Sequence, residues 1–395
     1  MKATEQLSNY NLIIMELNSY SAPQQLKGTQ IRQLSFIEKT LHLDTLLLFG
    51  LLLMSCIGLV VLYSSGNQNM GLIYKQLVRM GIAFIIMIAI ARISPDTLLR
   101  WAPWFYGAGI ILLIAVLIVG TKSKGAQRWL NFGLFRFQPS EIMKLAVPMM
   151  VSYYYSNKNL PPSFKQIVIG SLIILIPTGL IAKQPDLGTS LLIASSGFFA
   201  IYFAGISWRL LLTATGIFAS AAPIFWTYFM HDYQKQRVLT FLDPEKDPRG
   251  AGYHIIQSQT AIGSGGTYGK GWLNGTQSQL DFLPERSTDF VFSAFSEEFG
   301  LMGVSILLLV YFLIIVRGLF IGTQAQNTFS RLLCGSLILT FFVYIFVNIG
   351  MVSGLLPVVG LPLPLVSYGG TSMVTIMAGF GMMMSIHTHR KLYSS

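Results

Sequence analysis

The sequence predicts an all-α integral membrane protein with ten transmembrane helices and a large extracytoplasmic loop. Hydrophobic residues make up 53% of its 395 positions, whereas charged residues make up only 11%. Soluble globular domains carry about 25% charged residues, so this chain has too little polar surface for a water-soluble protein. Its apolar residues also fall in runs of about 20, the length that a helix needs to cross a membrane.

Ten such runs are candidate spans. The fourth carries Glu141 and Lys144 in its first turn, and the sixth and tenth are short. The long polar segment 231–289, between the seventh and eighth spans, is the predicted extracytoplasmic loop. The ten spans are 44–64, 76–93, 102–120, 140–155, 167–182, 190–206, 209–230, 290–316, 332–352 and 371–387.

An even number of spans places both termini on the same side of the membrane. Basic residues are more frequent in the short segments of that side, which predicts that both termini are cytoplasmic. We therefore expect a cytoplasmic tail at 1–40, polar enough to be disordered, a membrane domain at 41–390 and a cytoplasmic tail at 391–395. Acidic residues and Gly/Pro-rich motifs gather on the outer side, which indicates a site there.

The net charge of +11 does not indicate nucleic-acid binding. Apolar runs separate the basic residues into short loops, a pattern typical of membrane topology and of contact with anionic lipid. The two cysteines, Cys56 and Cys334, are isolated within apolar runs and predict neither a disulfide framework nor a zinc site. The two histidines of HTHRK, 387–391, are interpreted as part of a basic flank, so we predict no metal site.

The stretch KGAQRWLNFGLFRFQPSEIMKLAV, 124–147, holds four candidate substrate-binding residues. Trp129 suits the headgroup level of a membrane, and Arg128 can bind phosphate through a bidentate fork. Glu141 and Lys144 are three apart on a helix that Ser140 is expected to cap, so they face the same way. Charges at membrane depth usually face a cavity or a partner. The alternative is an interface anchor followed by a structural ion pair.

The segment KQPDLGTS, 183–190, adds two substrate-binding candidates, Lys183 and Asp186. Its proline and glycine predict a turn between two spans. Asp186 or Thr189 is the expected N-cap of the next helix, and that structural role alone would also explain the motif.

Two further loops are rich in glycine. GSGGTYGKGW, 263–272, lacks the strand, the terminal Gly-Lys-Ser/Thr and the following helix of a phosphate loop, so ATP binding is not predicted. GLLPVVGLPLPLVSYGG, 354–370, contains three prolines and four glycines. Non-helical backbone near membrane depth is tolerated only where protein buries it or where it lines a cavity. The second loop therefore predicts part of a site.

Asp289 is the candidate catalytic residue, because it lies where the polar loop gives way to the eighth apolar run. A carboxylate at the lipid–water boundary can take a proton from a sugar hydroxyl as a general base. Alternatively, Thr288 or Asp289 caps the eighth helix, a role compatible with catalysis. We expect one of Glu297 and Glu298, which lie deeper, to face a cavity and the other to face the bundle.

Five motifs in this order resemble the SEDS family (shape, elongation, division and sporulation) over residues 35–391. They are GAQRW, QPSEIMKL, QPDLGT, LPERSTDFVF and GLLPVVGLPLPLVSYGG. GAGYHIIQSQTAIGSGG and FVNIGMVSGLLPVVGLPLPLVSYGG are similar to the RodA branch of Gram-negative bacteria. The resemblance implies ten transmembrane helices with cytoplasmic ends. It also implies a peptidoglycan glycosyltransferase that polymerises lipid II outside the inner membrane during cell elongation and shape maintenance.

The resemblance also implies residue roles. The family's essential Asp in the large loop matches Asp289, and its Trp, Glu and Lys match Trp129, Glu141 and Lys144. We expect Asp289 to deprotonate the acceptor hydroxyl, which displaces lipid pyrophosphate with inversion. Arg128, Lys144 and Lys183 would stabilise the leaving group, alone or with a divalent cation such as Mg²⁺ or Mn²⁺. Glu141 would hold Lys144 or bind that cation.

Two other functions are weighed against this one. A lipid II flippase would carry charged residues through the midplane and at both ends, whereas the inner half of most spans here is bare. A scaffold would not need acids and bases converging at the lipid boundary. By resemblance, the partners are lipid II, membrane lipid and a class B penicillin-binding protein of the elongation complex, with helices eight and nine as the contact.

Overall fold

The computed structural model describes residues 42–123, 126–131, 136–230, 232–247, 250–280, 282–283 and 285–389. The two predicted tails, 1–40 and 391–395, lie outside these residues. The helices are α1 Thr45–Ser65, α2 Met70–Ala91, α3 Pro95–Val119, α4 Pro139–Ser156, α5 Phe164–Ala182, α6 Leu187–Phe203, α7 Trp208–Ile224, α8 Asp232–Leu242, α9 Ala251–Ser264, α10 Thr276–Gln279, α11 Val291–Thr323, α12 Thr328–Val352 and α13 Thr371–Thr388. A π-helical turn, Phe225–Phe229, continues α7, and a 3-10 turn, Pro244–Lys246, follows α8.

Each of the ten predicted spans coincides with a helix. Six of these helices, α1, α2, α3, α5, α11 and α12, are long and apolar enough to cross a membrane, which confirms an integral membrane protein rich in helix. The other four, α4, α6, α7 and α13, are shorter or less apolar. Large apolar side chains cover the exposed faces of the outer helices, where lipid rather than water must contact them; examples are Phe49, Ile85, Ile118, Leu175 and Phe312.

Helix α12 lies at the centre of the bundle. Of its apolar stretch, 67% is buried inside the protein, against 39% or less in the other five long helices. It packs against α4, α6, α11 and α13. A polar side chain on α12 is therefore surrounded by protein and needs a hydrogen-bond partner there.

A small antiparallel sheet, which the all-α prediction missed, precedes α4. It has the order β1 Thr121–Ser123, β2 Ala126–Asn131 and β3 Arg136–Phe137. The expectation that Ser140 caps α4 is also wrong. The N-cap is Gln138, and Pro139 begins the helix, where its missing N–H costs nothing.

Glu297 of α11 anchors the segment between α7 and α11 to the bundle, and Glu298 of the same helix binds α1. Glu297 accepts hydrogen bonds from Lys270 Nζ at 2.7 Å, Thr276 Oγ1 at 3.0 Å and Gln277 N at 2.9 Å. Glu298 accepts from Ser64 Oγ at the end of α1. The expectation that one of these acids faces a cavity is therefore wrong, since both bind neighbouring segments.

A second buried charged cluster lies at the opposite end of α1. Asp44 caps α1 by accepting from Leu47 N at 2.9 Å, and it forms a bidentate ion pair with Arg317 of α11. His387 Nε2 of α13 lies 3.3 Å from the same carboxylate. Charged groups thus join three helices at this end, as an exception to the prediction that the inner half of most spans carries no ionisable residue.

Candidate active site

Asp289 lies in a turn, residues 285–290, immediately before α11, and is half-buried. The N-cap of α11 is Phe290, which makes no side-chain capping bond. Thr288 Oγ1 instead donates to the backbone carbonyl of Glu285 at 3.1 Å. Neither Thr288 nor Asp289 therefore occupies the cap position that the sequence suggested.

The loop 354–370, here the Pro/Gly loop, holds the Asp289 turn from one side. Tyr368 N donates to Ser287 O at 2.8 Å, and Ser367 Oγ donates to Thr288 O at 2.6 Å. The same loop touches the start of α6, because a Cβ built on Gly188 would lie 2.9 Å from Val359 O. The loop thus joins the Asp289 turn to the helix that Asp186 begins.

Asn348 of α12 links the Asp289 turn to the Pro/Gly loop. Its fully buried amide donates to Asp289 O at 2.9 Å and to Leu361 O at 2.7 Å. The backbone of the candidate catalytic residue is therefore bonded to the central helix of the bundle.

Arg128 and Asp186 meet at the start of α6. Arg128 Nε lies 3.6 Å from Asp186 Oδ2, and the guanidinium donates to the carbonyls of Gln184 and Pro185. Gln138 Nε2 donates to Asp186 Oδ2 at 3.3 Å. Asp186 also caps α6 by accepting from the N–H three residues on at 3.3 Å, so the predicted cap is confirmed. The Arg128 side chain remains 32% exposed and can receive an anion.

Glu141 and Lys144 form a buried ion pair at the start of α4. Lys144 Nζ lies 2.6 Å from Glu141 Oε1 and 5.2 Å from the ring centroid of Tyr344 on α12. Tyr344 is one helical turn from Asn348, so both side chains lie on the same face of α12. A cavity of about 40 Å³ adjoins Lys144 and Tyr344, enough for water. One face of α12 thus contacts both the ion pair and the Asp289 turn.

Two predicted site residues, Lys183 and Trp129, have no side-chain contact described with the other candidate residues. Lys183 is exposed at the C-terminal end of α5, and the structure does not connect its side chain to the other candidates within the described ranges. Trp129 is half-buried in β2, where its carbonyl accepts from Thr121 Oγ1 at 3.2 Å. Both residues belong to segments that flank the Arg128–Asp186 contact, so their binding roles stay predictions.

Known proteins match nearly the whole chain. A sequence model of the FtsW, RodA and SpoVE cell cycle proteins matches residues 39–392. The chain belongs to this family. The SEDS resemblance seen in the motifs is thereby confirmed.

Curated relatives match most of the length of this SEDS protein. Peptidoglycan glycosyltransferase MrdB of Escherichia coli K12 is 54% identical over 353 residues, which is 89% of this chain and 95% of MrdB. The MrdB of Helicobacter pylori is 36% identical over 361 residues, covering 89% of this chain and 92% of the relative.

Two solved structures share the fold. A chain from a peptidoglycan synthase complex that coordinates polymerization and crosslinking has a TM-score of 0.79 and 31% identity, covering 89% of this chain and 99% of that one. The rod shape determining protein RodA of Thermus thermophilus has a TM-score of 0.68 and 28% identity, covering 89% and 100%.

Sequence reasoning missed Asn348 and Tyr344 of this SEDS protein. A signal for Asn348 was present, since an amide in the apolar run FVNIG is unfavourable in a membrane unless it is hydrogen-bonded. Tyr344 gave no such signal, because tyrosine is common in membrane helices. Its contact with Lys144 depends on how α4 and α12 pack.

A divalent cation would need oxygen ligands from several acids or from the substrate. Among the described residues, no three His, Cys, Asp or Glu side chains converge on one point. The protein residues of this site do not by themselves form a metal cage, and we derive no step through a metal.

Proposed function

We propose that this SEDS protein is a peptidoglycan glycosyltransferase that polymerises lipid II during cell elongation, with Asp289 as the general base. The activity is supported by MrdB of E. coli, which bears that name and matches 89% of the chain. The assignment of Asp289 rests on one observation. The Asp289 turn, the Pro/Gly loop and α12 meet around a single half-buried acid.

The proposed reaction is an inverting displacement. The Asp289 carboxylate takes the proton of the acceptor 4-hydroxyl on GlcNAc. That oxygen attacks C1 of the donor MurNAc from the face opposite the pyrophosphate, and the bond from C1 to the lipid pyrophosphate breaks. A base within hydrogen-bond reach contributes about 10² to 10⁴ in rate. A rigid backbone at Asp289 keeps the carboxylate in place for this proton transfer.

The leaving lipid pyrophosphate needs positive charge where it departs. Arg128 offers this charge, because the described hydrogen bonds use only two of its five N–H groups. Lys144 supplies a second charge in a site shielded from water, where electrostatic stabilisation is strong. The 2.6 Å contact favours Glu141 as the group that holds Lys144. Lys183, which is exposed, would meet the pyrophosphate only from the outer surface.

The protein is a multi-pass inner membrane protein. We propose ten spans, with both termini cytoplasmic and the segment 231–289 and the site on the periplasmic side. The ten helices at the predicted positions support this count. The substrate also favours it, because the lipid must stay in the bilayer while its sugars lie outside.

The proposed partner is a class B penicillin-binding protein, which would crosslink the strands that this chain makes. The similarity to a chain of a peptidoglycan synthase complex supports such an assembly. The contact expected from the family is through α11 and α12, and α11 has a long exposed apolar face that could receive a membrane helix.

The test is a polymerisation assay with labelled lipid II in detergent. The purified protein is assayed alone and with a transpeptidase-inactive partner, with penicillin present to silence crosslinking. We expect a glycan ladder from the wild type and none from Asp289→Asn. The control is Asp243→Asn, which changes an acid of the same segment that pairs with Lys246 at the surface. It should keep the ladder.

Two outcomes would overturn the proposal. A normal ladder from Asp289→Asn would exclude this residue as the base. No ladder from the wild type under any condition, with lipid II crossing liposome bilayers instead, would favour a flippase.

A further inference from the structure

Asn348 is placed unusually for a residue of a central membrane helix. Its side chain is 0% exposed, in the middle of the apolar sequence FVNIGM. Burying an amide without hydrogen bonds costs about 1 to 3 kcal/mol, and an apolar side chain of similar size would avoid this cost. Its nitrogen donates to two carbonyls, Asp289 O at 2.9 Å and Leu361 O at 2.7 Å, whereas its Oδ1 is buried and accepts no hydrogen bond from the described residues.

These two carbonyls belong to segments that face each other across the candidate base. Leu361 follows Gly360, and a Cβ on Gly360 would lie only 3.3 Å from Asp289 Oδ2. The amide nitrogen therefore donates to the backbone of Asp289 and to the part of the Pro/Gly loop that lies next to the Asp289 carboxylate. Shifting either carbonyl by an ångström would move the carboxylate relative to the loop that it touches.

We infer that Asn348 is a positioning residue for the transfer reaction, acting through the backbone of Asp289. This inference rests on the proposed function. The amide sets the separation between the Asp289 turn and the Pro/Gly loop and so holds the base at a fixed distance from the acceptor hydroxyl. A misplacement of about 1 Å can lower a rate by about 10²-fold, so the loss should fall on kcat rather than on KM.

The first test compares Asn348→Leu with Ser336→Ala in the lipid II assay. Ser336 is a matched control, because it is buried on the same helix and donates to Ser196 O of α6, away from Asp289. We expect Asn348→Leu to lower kcat about 10- to 100-fold with KM within about twofold of the wild type. Ser336→Ala should keep kcat near the wild-type value, and the melting temperatures of both variants show that they are folded at the assay temperature.

The second test uses Asn348→Asp, which keeps the shape of the side chain. An ionised carboxylate cannot donate to the two carbonyls, whereas a protonated one can donate once. Burial favours the protonated form at higher pH than usual. We therefore expect the ratio of kcat in Asn348→Asp to kcat in the wild type to rise as the pH falls from 8 to 6. A loss of packing alone would leave this ratio flat.

Several results would overturn the inference. These are a wild-type kcat in Asn348→Leu, a loss confined to KM, or an equal loss of kcat in Ser336→Ala. If Asn348→Leu does not fold, the pH dependence of Asn348→Asp decides, and a flat ratio refutes the role. A wild type that makes no glycan would instead refute the proposed function, so the two failures are distinguishable.

Discussion

Gly269 and Gly300 meet backbone to backbone at a break in α11. Gly300 has φ +61° and ψ −164°, a conformation essentially restricted to glycine, and a Cβ there would lie 2.3 Å from Gly269 N. The two N–H groups after the break donate to Gly266 O at 2.9 Å and Thr267 O at 3.0 Å. At the break, carbonyls of the loop after α9 thus accept hydrogen bonds that α11 would otherwise make within the helix.

The first prediction is that Gly300→Ala destabilises the protein. The backbone conformation alone should cost about 1 to 3 kcal/mol, and the new methyl group would push the loop away from α11. The measurement is the melting temperature in detergent. The control is Gly263→Ala, since nothing lies within 4 Å of a Cβ built there. Equal melting temperatures for the two variants would contradict the prediction.

The second prediction concerns Gly360, whose φ is +71°. Gly360→Ala should impose about 1 to 2 kcal/mol of backbone strain and place a methyl group against the Asp289 carboxylate. We expect polymerisation to fall at least tenfold while the protein still folds. Gly369→Ala in the same loop has open space at its Cβ and should retain most activity. Similar activity in both variants would show that the contact at Asp289 is unimportant.

The third prediction separates the two roles of the Glu141–Lys144 pair. Glu141→Met or Lys144→Met alone leaves an unpaired buried charge, which should cost about 3 to 5 kcal/mol. The double variant removes both charges and should recover most of the lost thermal stability. It should still not polymerise lipid II, because the charge of Lys144 is gone. Normal polymerisation by the double variant would make the pair purely structural.

The fourth prediction is a pH dependence of stability from His254 on α9. Burial holds the pKa of His254 below its usual value of 6.5, although the carboxylates of Glu285 and Asp247 oppose the shift. Its ring stacks on Phe290, with centroids 5.9 Å apart. Because the folded state favours the neutral ring, the stability that neutral His254 contributes is fully present above pH 6.5, the pKa in the unfolded chain. It is lost as the pH falls through the lower pKa of His254 in the folded protein.

The measurement for His254 is the melting temperature between pH 7.5 and 5.5. His254→Gln should lose less stability over this range than the wild type does. An identical pH dependence in both proteins would show that His254 stays uncharged, or is charged equally, in the folded and unfolded states.

The sequence predicted the helices well because their signal is local. Apolar runs of membrane length identify helices without reference to neighbours, since the bilayer requires each span to satisfy its own backbone. The cap at Asp186 was predictable for the same reason, as it is a contact between residues three apart. The strands before α4 are short and polar, and they gave no comparable pattern.

The partners of three neighbouring carboxylates could not be predicted from the local sequence. Asp289, Glu297 and Glu298 lie within ten residues of one another in a single motif. Sequence could not say that two of them bind neighbouring segments while the third lies beside the Pro/Gly loop. That division depends on which way each side chain points after α11 packs on α1 and the preceding loop folds back.

From the sequence alone one can identify a helical membrane protein, its SEDS family, and the acids and bases available to its site. Which of these residues come into contact depends on the three-dimensional packing of the helices. Arg128 reaches Asp186 across 58 positions of sequence, and Asn348 reaches Asp289 across 59. The first contact joins β2 to the start of α6, and the second joins α12 to the Asp289 turn. No local pattern specifies them, because they depend on the relative placement of elements distant along the chain.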